Sequence, residues 1–163
     1  MKQGIDHSST PESLYYDFGY SFDLMGQGDS ALAYYHKWLD MYPNDVMACI
    51  NIGGILGNRD EIDSAYYYTY KAYLITPDSP DACYNLAMIY KLRGQNQEAI
   101  DMYQKALAIN SQLVAAKFNL GELYEIMGDS ALAKIFYREF VDEAPPTYLE
   151  NIKQAKAKLG IDK

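Results

Sequence analysis

The chain has 163 residues, 49% of them apolar and 14% aromatic, enough to bury a real core and too apolar for a disordered chain. A formal net charge of −8 argues against nucleic acid or an anionic membrane as the main partner, and the two cysteines, Cys49 and Cys83, are too few for a disulfide scaffold and lack metal-ligand spacing. No stretch approaches the roughly 20 apolar residues that span a bilayer, and neither a metal nor another cofactor is expected.

Residues 1–11 form a polar tail without an apolar signal core, so a cytoplasmic location is the expectation. Thr10 can cap a first helix with Pro11 at its first position. From residue 12 onward the sequence repeats with a period of 34. Pro43, Pro77 and Pro145 keep that step, with Ser111 in the remaining slot. Gly19, Gly53, Ala87, Gly121 and Ala155 form a column of small residues, and Ala31, Ala65, Ala99 and Ala133 form another. Phe18, Ile52, Leu86 and Leu120 recur in register, as do Phe22, Leu56, Tyr90 and Tyr124.

The copies run 12–45, 46–79, 80–113 and 114–147, and each carries two segments with apolar residues at helical spacing. Gly26, Gly94 and Gly128 mark the turn between the two segments, and "GNRD" replaces it in the second copy. A proline or serine closes each second helix. The second copy also holds "YYYTYKAY" at 66–73, which looks strand-like on aromatic content alone. The repeat places it on a second helix instead, with Ala65, Ala72 and Tyr73 toward neighbouring helices. Residues 148–163 predict a closing helix with a Thr147–Glu150 capping box and an apolar stripe of Ile152, Ala155 and Leu159. Lys153, Gln154, Lys156 and Lys158 are then left toward water, as the end of a repeat stack requires.

In the fourth copy "KFNLGELY" is followed by Ala133, Tyr137 and Pro145. This resembles the tetratricopeptide repeat family, whose pattern is aromatic-x2-L-G-x2-Y, then A-x3-F, then P. Lys117 replaces the leading aromatic, Cys49 and Cys83 replace it in the middle copies, and Tyr15 keeps it in the first. The resemblance spans residues 12–147. It implies an all-α fold, a right-handed α-α superhelix of four repeats plus a C-terminal capping helix. It also implies a non-enzymatic protein-binding module whose first helices line a concave groove.

Nothing in the sequence forms catalytic machinery. His7 lies in the tail and His36 on the outer side of a second helix, neither with a nucleophile or acid at motif spacing. "GQGDS" at 26–30 follows no strand and suits an interhelical turn better than a phosphate loop. Asp60, Glu61 and Asp63 suit a solvated helix start.

The positions that the resemblance turns toward the groove carry candidate anchors in Tyr16, Tyr20, Ile50, Tyr84, Met88 and Phe118. Asn51, Asn85 and Asn119 make an asparagine column able to pair with a peptide backbone. In the tetratricopeptide arm of O-linked N-acetylglucosamine transferases, a similar column holds an extended peptide. Gly54 and Gly57 would leave a pit, flanked by Tyr20 and Met88. Asp17, Asp23, Asp81, Glu122 and Glu125 against Lys91 favour a neutral or basic ligand with apolar anchors. The basic clamp by which related domains hold a chaperone's C-terminal carboxylate is missing: Tyr16, Tyr20, Asn51, Asp81 and Asn85 stand at its positions. Tyr34, Tyr67 and Tyr70 form a second candidate surface, outward-facing, through which a self-associating scaffold (a homo-oligomer) would join; stack ends are the other route. A chaperone for secreted subunits is a third reading, from which the polar tail departs.

Overall fold

In the computed structural model, residues 13–161 are described, and every regular element among them is helical. The helices are α1 (Ser13–Leu24), α2 (Gly28–Met41), α3 (Val46–Asn58), α4 (Ile62–Ile75), α5 (Pro80–Leu92), α6 (Asn96–Ile109), α7 (Val114–Ile126), α8 (Ser130–Glu143) and α9 (Leu149–Leu159). The expected tail, with His7, Thr10 and Pro11, lies outside the described residues.

The tyrosine run falls inside α4, where Ala65, Thr69 and Ala72 form the buried stripe at helical spacing. The strand propensity of tyrosine loses because one face of that helix is fixed by packing. The turns between paired helices share one backbone device. Gly26, Gly94 and Gly128 adopt φ of 70°, 72° and 82°, and Asp60 takes the same left-handed conformation at φ 63° in the copy that lacks the glycine. Aspartate is among the few residues with a side chain that enter this region readily. Side-chain caps open α3, α5 and α8. Asp45 accepts from the Ala48 N–H at 2.8 Å, Ser79 from Ala82 at 3.3 Å, and Asp129 from Leu132 at 3.0 Å.

The end of the chain corrects one expectation. Thr147 and Glu150 form no capping box. A 3₁₀ turn over Pro146–Tyr148 precedes α9, and Tyr148 at its N-cap makes no side-chain cap bond. Pro145 in extended conformation leads directly into that turn, which places Thr147 inside it and leaves Glu150 to pair with Lys153 at 2.8 Å.

The chain divides into two compact units, one running through Pro77 and the other from Asp78. The first holds the hairpins α1–α2 and α3–α4. Its core contains Ala31, Tyr35, Trp38, Ile52 and Ala65, all at most 1% exposed. The small-residue column has the steric purpose that its period suggests. A β-carbon on Gly19 would stand 2.8 Å from the Tyr35 ring, and one on Gly53 would stand 2.5 Å from the Thr69 methyl. Phe18 departs from its column. Ile52 is fully buried, whereas Phe18 is 44% exposed and packs its ring on Tyr34 at 5.3 Å. Among the described residues no hairpin precedes α1 to cover it.

The second unit holds α5–α6, α7–α8 and α9. Ala87, Ala99, Ile100, Tyr103, Ala116, Leu120 and Leu123 pack together across α5, α6 and α7. Beyond them, Phe118, Ala133, Tyr137, Phe140 and Ala155 join α7, α8 and α9. A β-carbon on Gly121 would meet the Tyr137 ring at 2.7 Å, so α7 and α8 approach as α1 and α2 do. Lys117, in the place of the leading aromatic, is buried with its ammonium 2.5 Å from Glu143 and 3.7 Å from Glu139. A cation there is tolerable only because those carboxylates reach it.

Candidate functional site

The first helices α1, α3, α5 and α7 carry the predicted groove residues, and each unit presents its own set. One column turns out to be partly structural. Tyr16, Tyr84 and Phe118 each meet a ring nineteen residues later on the paired second helix: Tyr35 at 5.6 Å, Tyr103 at 5.4 Å and Tyr137 at 5.8 Å. Phe118 also contacts Phe140 at 5.1 Å. Phe118 and Ile50 are each 6% exposed, which corrects their assignment as ligand anchors: they belong to the core. Tyr16 and Tyr84 are half-buried, and burial raises the pKa of both. Tyr20 and Met88 stand open, at 49% and 37% exposure.

The asparagine column is engaged within the protein. In the first unit the Asn51 amide donates to Tyr35 Oη at 2.9 Å and to Tyr16 Oη at 3.2 Å, bridging two hydroxyls. Asn85 donates to the Asp81 carbonyl at 2.8 Å on an exposed stretch of α5. Asn119 donates to the Ala115 carbonyl at 2.9 Å and to Tyr84 Oη at 3.4 Å, and its Oδ1 accepts from Lys91 at 3.0 Å. Tyr103 matches Tyr35 by repeat position, yet its buried hydroxyl has no partner among the described residues, because Asn119 is drawn toward Lys91. What the column offers a ligand is therefore mainly acceptor capacity at Asn51 and Asn85.

The two units differ in charge. In the second, Lys91 sits 2.5 Å from Glu122, and Lys158 from α9 sits 2.7 Å from Glu125, which also accepts from Tyr137 at 3.0 Å. The Lys158 bond, ahead of the Tyr137 bond, lowers the Glu125 pKa. Lys91, Glu122, Glu125, Ile126, Gln154 and Lys158 line an open cleft of about 350 Å³. α9 thus adds its own lysine to this face, a contribution that the sequence assigned to water alone. In the first unit, Asp17 and Asp23 form no ion pair among the described residues, and burial raises the Asp23 pKa. A cleft of about 300 Å³ is lined by Asp23, Gly26, Gly28, Ile55, Asn58 and Arg59.

Gly53 and Gly54 separate packing from surface on α3. Gly53 faces Thr69 with no room for a side chain, while a β-carbon on Gly54 would meet nothing within 4 Å. Of the outward tyrosines, Tyr67 is open at 60% exposure. Tyr70 is half-buried and stacks on Tyr66 at 5.3 Å. Tyr34 is half-buried and stacks on Phe22 at 5.4 Å, so it belongs to the α1–α2 packing. His36 is exposed, with its ring 5.7 Å from Tyr68. Cys49 and Cys83 are buried and form no disulfide, and burial raises both thiol pKa values. Among the described residues no three His, Cys, Asp or Glu side chains converge as a metal site would need, and no helix is long and apolar enough to cross a membrane.

Sequence reasoning missed the Lys117 ion pairs and the Asn51 bridge. The latter had a faint signal: Tyr35–Asn51 and Tyr103–Asn119 recur at the same separation.

Comparison with known proteins agrees with this architecture. Models described as tetratricopeptide repeat match residues 80–113 and 114–147. A crystal structure of MamA is 25% identical, with 93% of this chain and 84% of that one covered, at a TM-score of 0.72. A thermophilic TPR protein of Thermus thermophilus is 15% identical over 92% of this chain and 84% of its own, at a TM-score of 0.78. YrrB, described as a TPR protein with an unusual peptide-binding site, is 19% identical over 91% and 78%, at a TM-score of 0.68. A search of curated proteins found no match.

Proposed function

The chain is a tetratricopeptide-repeat protein with the all-α superhelical fold of that family, and from this premise we propose that it is an adaptor or assembly factor that holds an extended segment of a partner protein along the inner faces of its first helices. It performs no chemistry of its own on this reading. The observation that carries it is the contrast between two adjacent glycines. Gly53 is required by packing against Thr69, but Gly54 has open space where its side chain would be. A glycine inside a helix weakens it by about 0.5–1 kcal/mol relative to alanine. Packing gives no return for that cost at Gly54; an opening for a ligand side chain does. On the first unit Tyr20 supplies further contact area, and on the second unit Tyr84 and Met88 supply contact area and Asn85 an acceptor. Three amide bonds at about 0.5–1.5 kcal/mol each would not offset the ordering of a peptide, so apolar anchors are needed as well.

The test is selection of binding peptides from a displayed random library, followed by mapping of the strongest binder by NMR. The reading expects shifts at Tyr20, Gly54, Asn85 and Met88. Shifts confined to Tyr67 and Tyr70 would contradict it. A second reading, self-association, draws on the exposure of Tyr67 and of Phe18 at the open edge of α1. Light scattering over a concentration range checks it: a monomer throughout removes it.

A further inference from the structure

The first unit contains a carboxylate that its own structure leaves uncompensated. Asp23 is half-buried at the C-terminal end of α1, and desolvation raises its pKa. A partly desolvated carboxylate is costly unless a cation or several donors reach it. Among the described residues none does. The nearby Arg59 is already committed: its guanidinium lies 2.7 Å from Asp29. Gly28 leaves room for the guanidinium, since a β-carbon there would stand 2.7 Å from Arg59 Nη2. The Arg59–Asp29 pair neutralises itself and leaves the Asp23 charge standing. In the second unit the carboxylates of the corresponding face are neutralised by internal pairs, Lys91 with Glu122 and Lys158 with Glu125.

Asp23 lines the cleft of about 300 Å³, together with Ile55, Asn58 and Arg59, the last with its charge paired to Asp29. That combination has the form of a receptor for a long side chain with an apolar stem and a cationic head. We propose that this cleft takes one lysine or arginine of the partner segment, with the stem along Ile55 and the charged head between the Asp23 carboxylate and the Asn58 amide oxygen. The inference rests on the reading of the inner faces as a peptide-binding surface and names the chemistry that the peptide must carry.

The experiment uses the whole chain and peptides selected on it from a displayed random library. Aligned binders carry a lysine or arginine at one fixed position. Replacing that arginine by citrulline, which keeps the shape and removes the charge, weakens binding to the wild type by about tenfold. The same replacement leaves binding to Asp23→Asn unchanged, which closes a double-mutant cycle on the pair. Binders without a conserved basic position, or a citrulline effect of equal size on wild type and Asp23→Asn, overturn the proposal while the peptide-binding reading stands. A library that yields no binder at all overturns both. Melting curves of Asp23→Asn, matching or exceeding the wild type, exclude misfolding as the cause.

Discussion

Gly53 lies so close to Thr69 that a β-carbon on the glycine would stand 2.5 Å from the threonine methyl, and Thr69 has little freedom to yield because its hydroxyl donates to the Ala65 carbonyl at 2.9 Å. The next residue, Gly54, faces open space. Alanine at position 54 should therefore stabilise the chain by about 0.5–1 kcal/mol through helix propensity. Alanine at position 53 should destabilise it by about 1 kcal/mol or more, since overpacking outweighs the propensity gain. Urea unfolding of the two variants checks the opposite signs.

The Asn51 bridge predicts an uneven asparagine column. Asn51→Ala strands the hydroxyl of Tyr35, which is fully buried, and should cost about 1–3 kcal/mol. Asn85→Ala removes only an exposed bond to the Asp81 carbonyl and should fall within about 0.5 kcal/mol of wild type. Equal losses in thermal unfolding would mean that the Tyr35 contact is not structural.

Lys117 sets a test of the buried cation. Neutralising both acceptors, in Glu139→Gln with Glu143→Gln, leaves the ammonium buried without a counter-charge and should cost about 3 kcal/mol or less, because both carboxylates are partly exposed. Lys117→Met removes the charge with its stem volume kept and should be neutral or stabilising. Chemical denaturation of the two variants separates these outcomes.

The 34-residue period made the helical hairpins and their small-residue contacts legible, because a repeating close approach forces the same short side chain at each copy. It showed even where the second copy breaks the glycine turn, although not that Asp60 itself would enter the left-handed region. The site was less legible. Periodicity tells which helix face a residue occupies but not how deep its ring sinks, so Tyr20 stays open while Phe118, assigned to the same surface, is core. Amide partners were invisible for a related reason: Asn51 and Asn119 occupy one column, yet a single neighbour, Lys91, redirects the second. Depth and turn type escaped as well: Phe18 stays exposed in a column where Ile52 is buried, and a 3₁₀ turn stands where a capping box is expected.

The central claim is that the space beside Gly54 is kept open for a partner's side chain. The most direct measurement is calorimetric affinity of a selected peptide for wild type and for Gly54→Leu, with melting temperatures recorded alongside. The account predicts a loss of about tenfold or more at an unchanged or higher melting temperature. Equal affinity for the two proteins would contradict it.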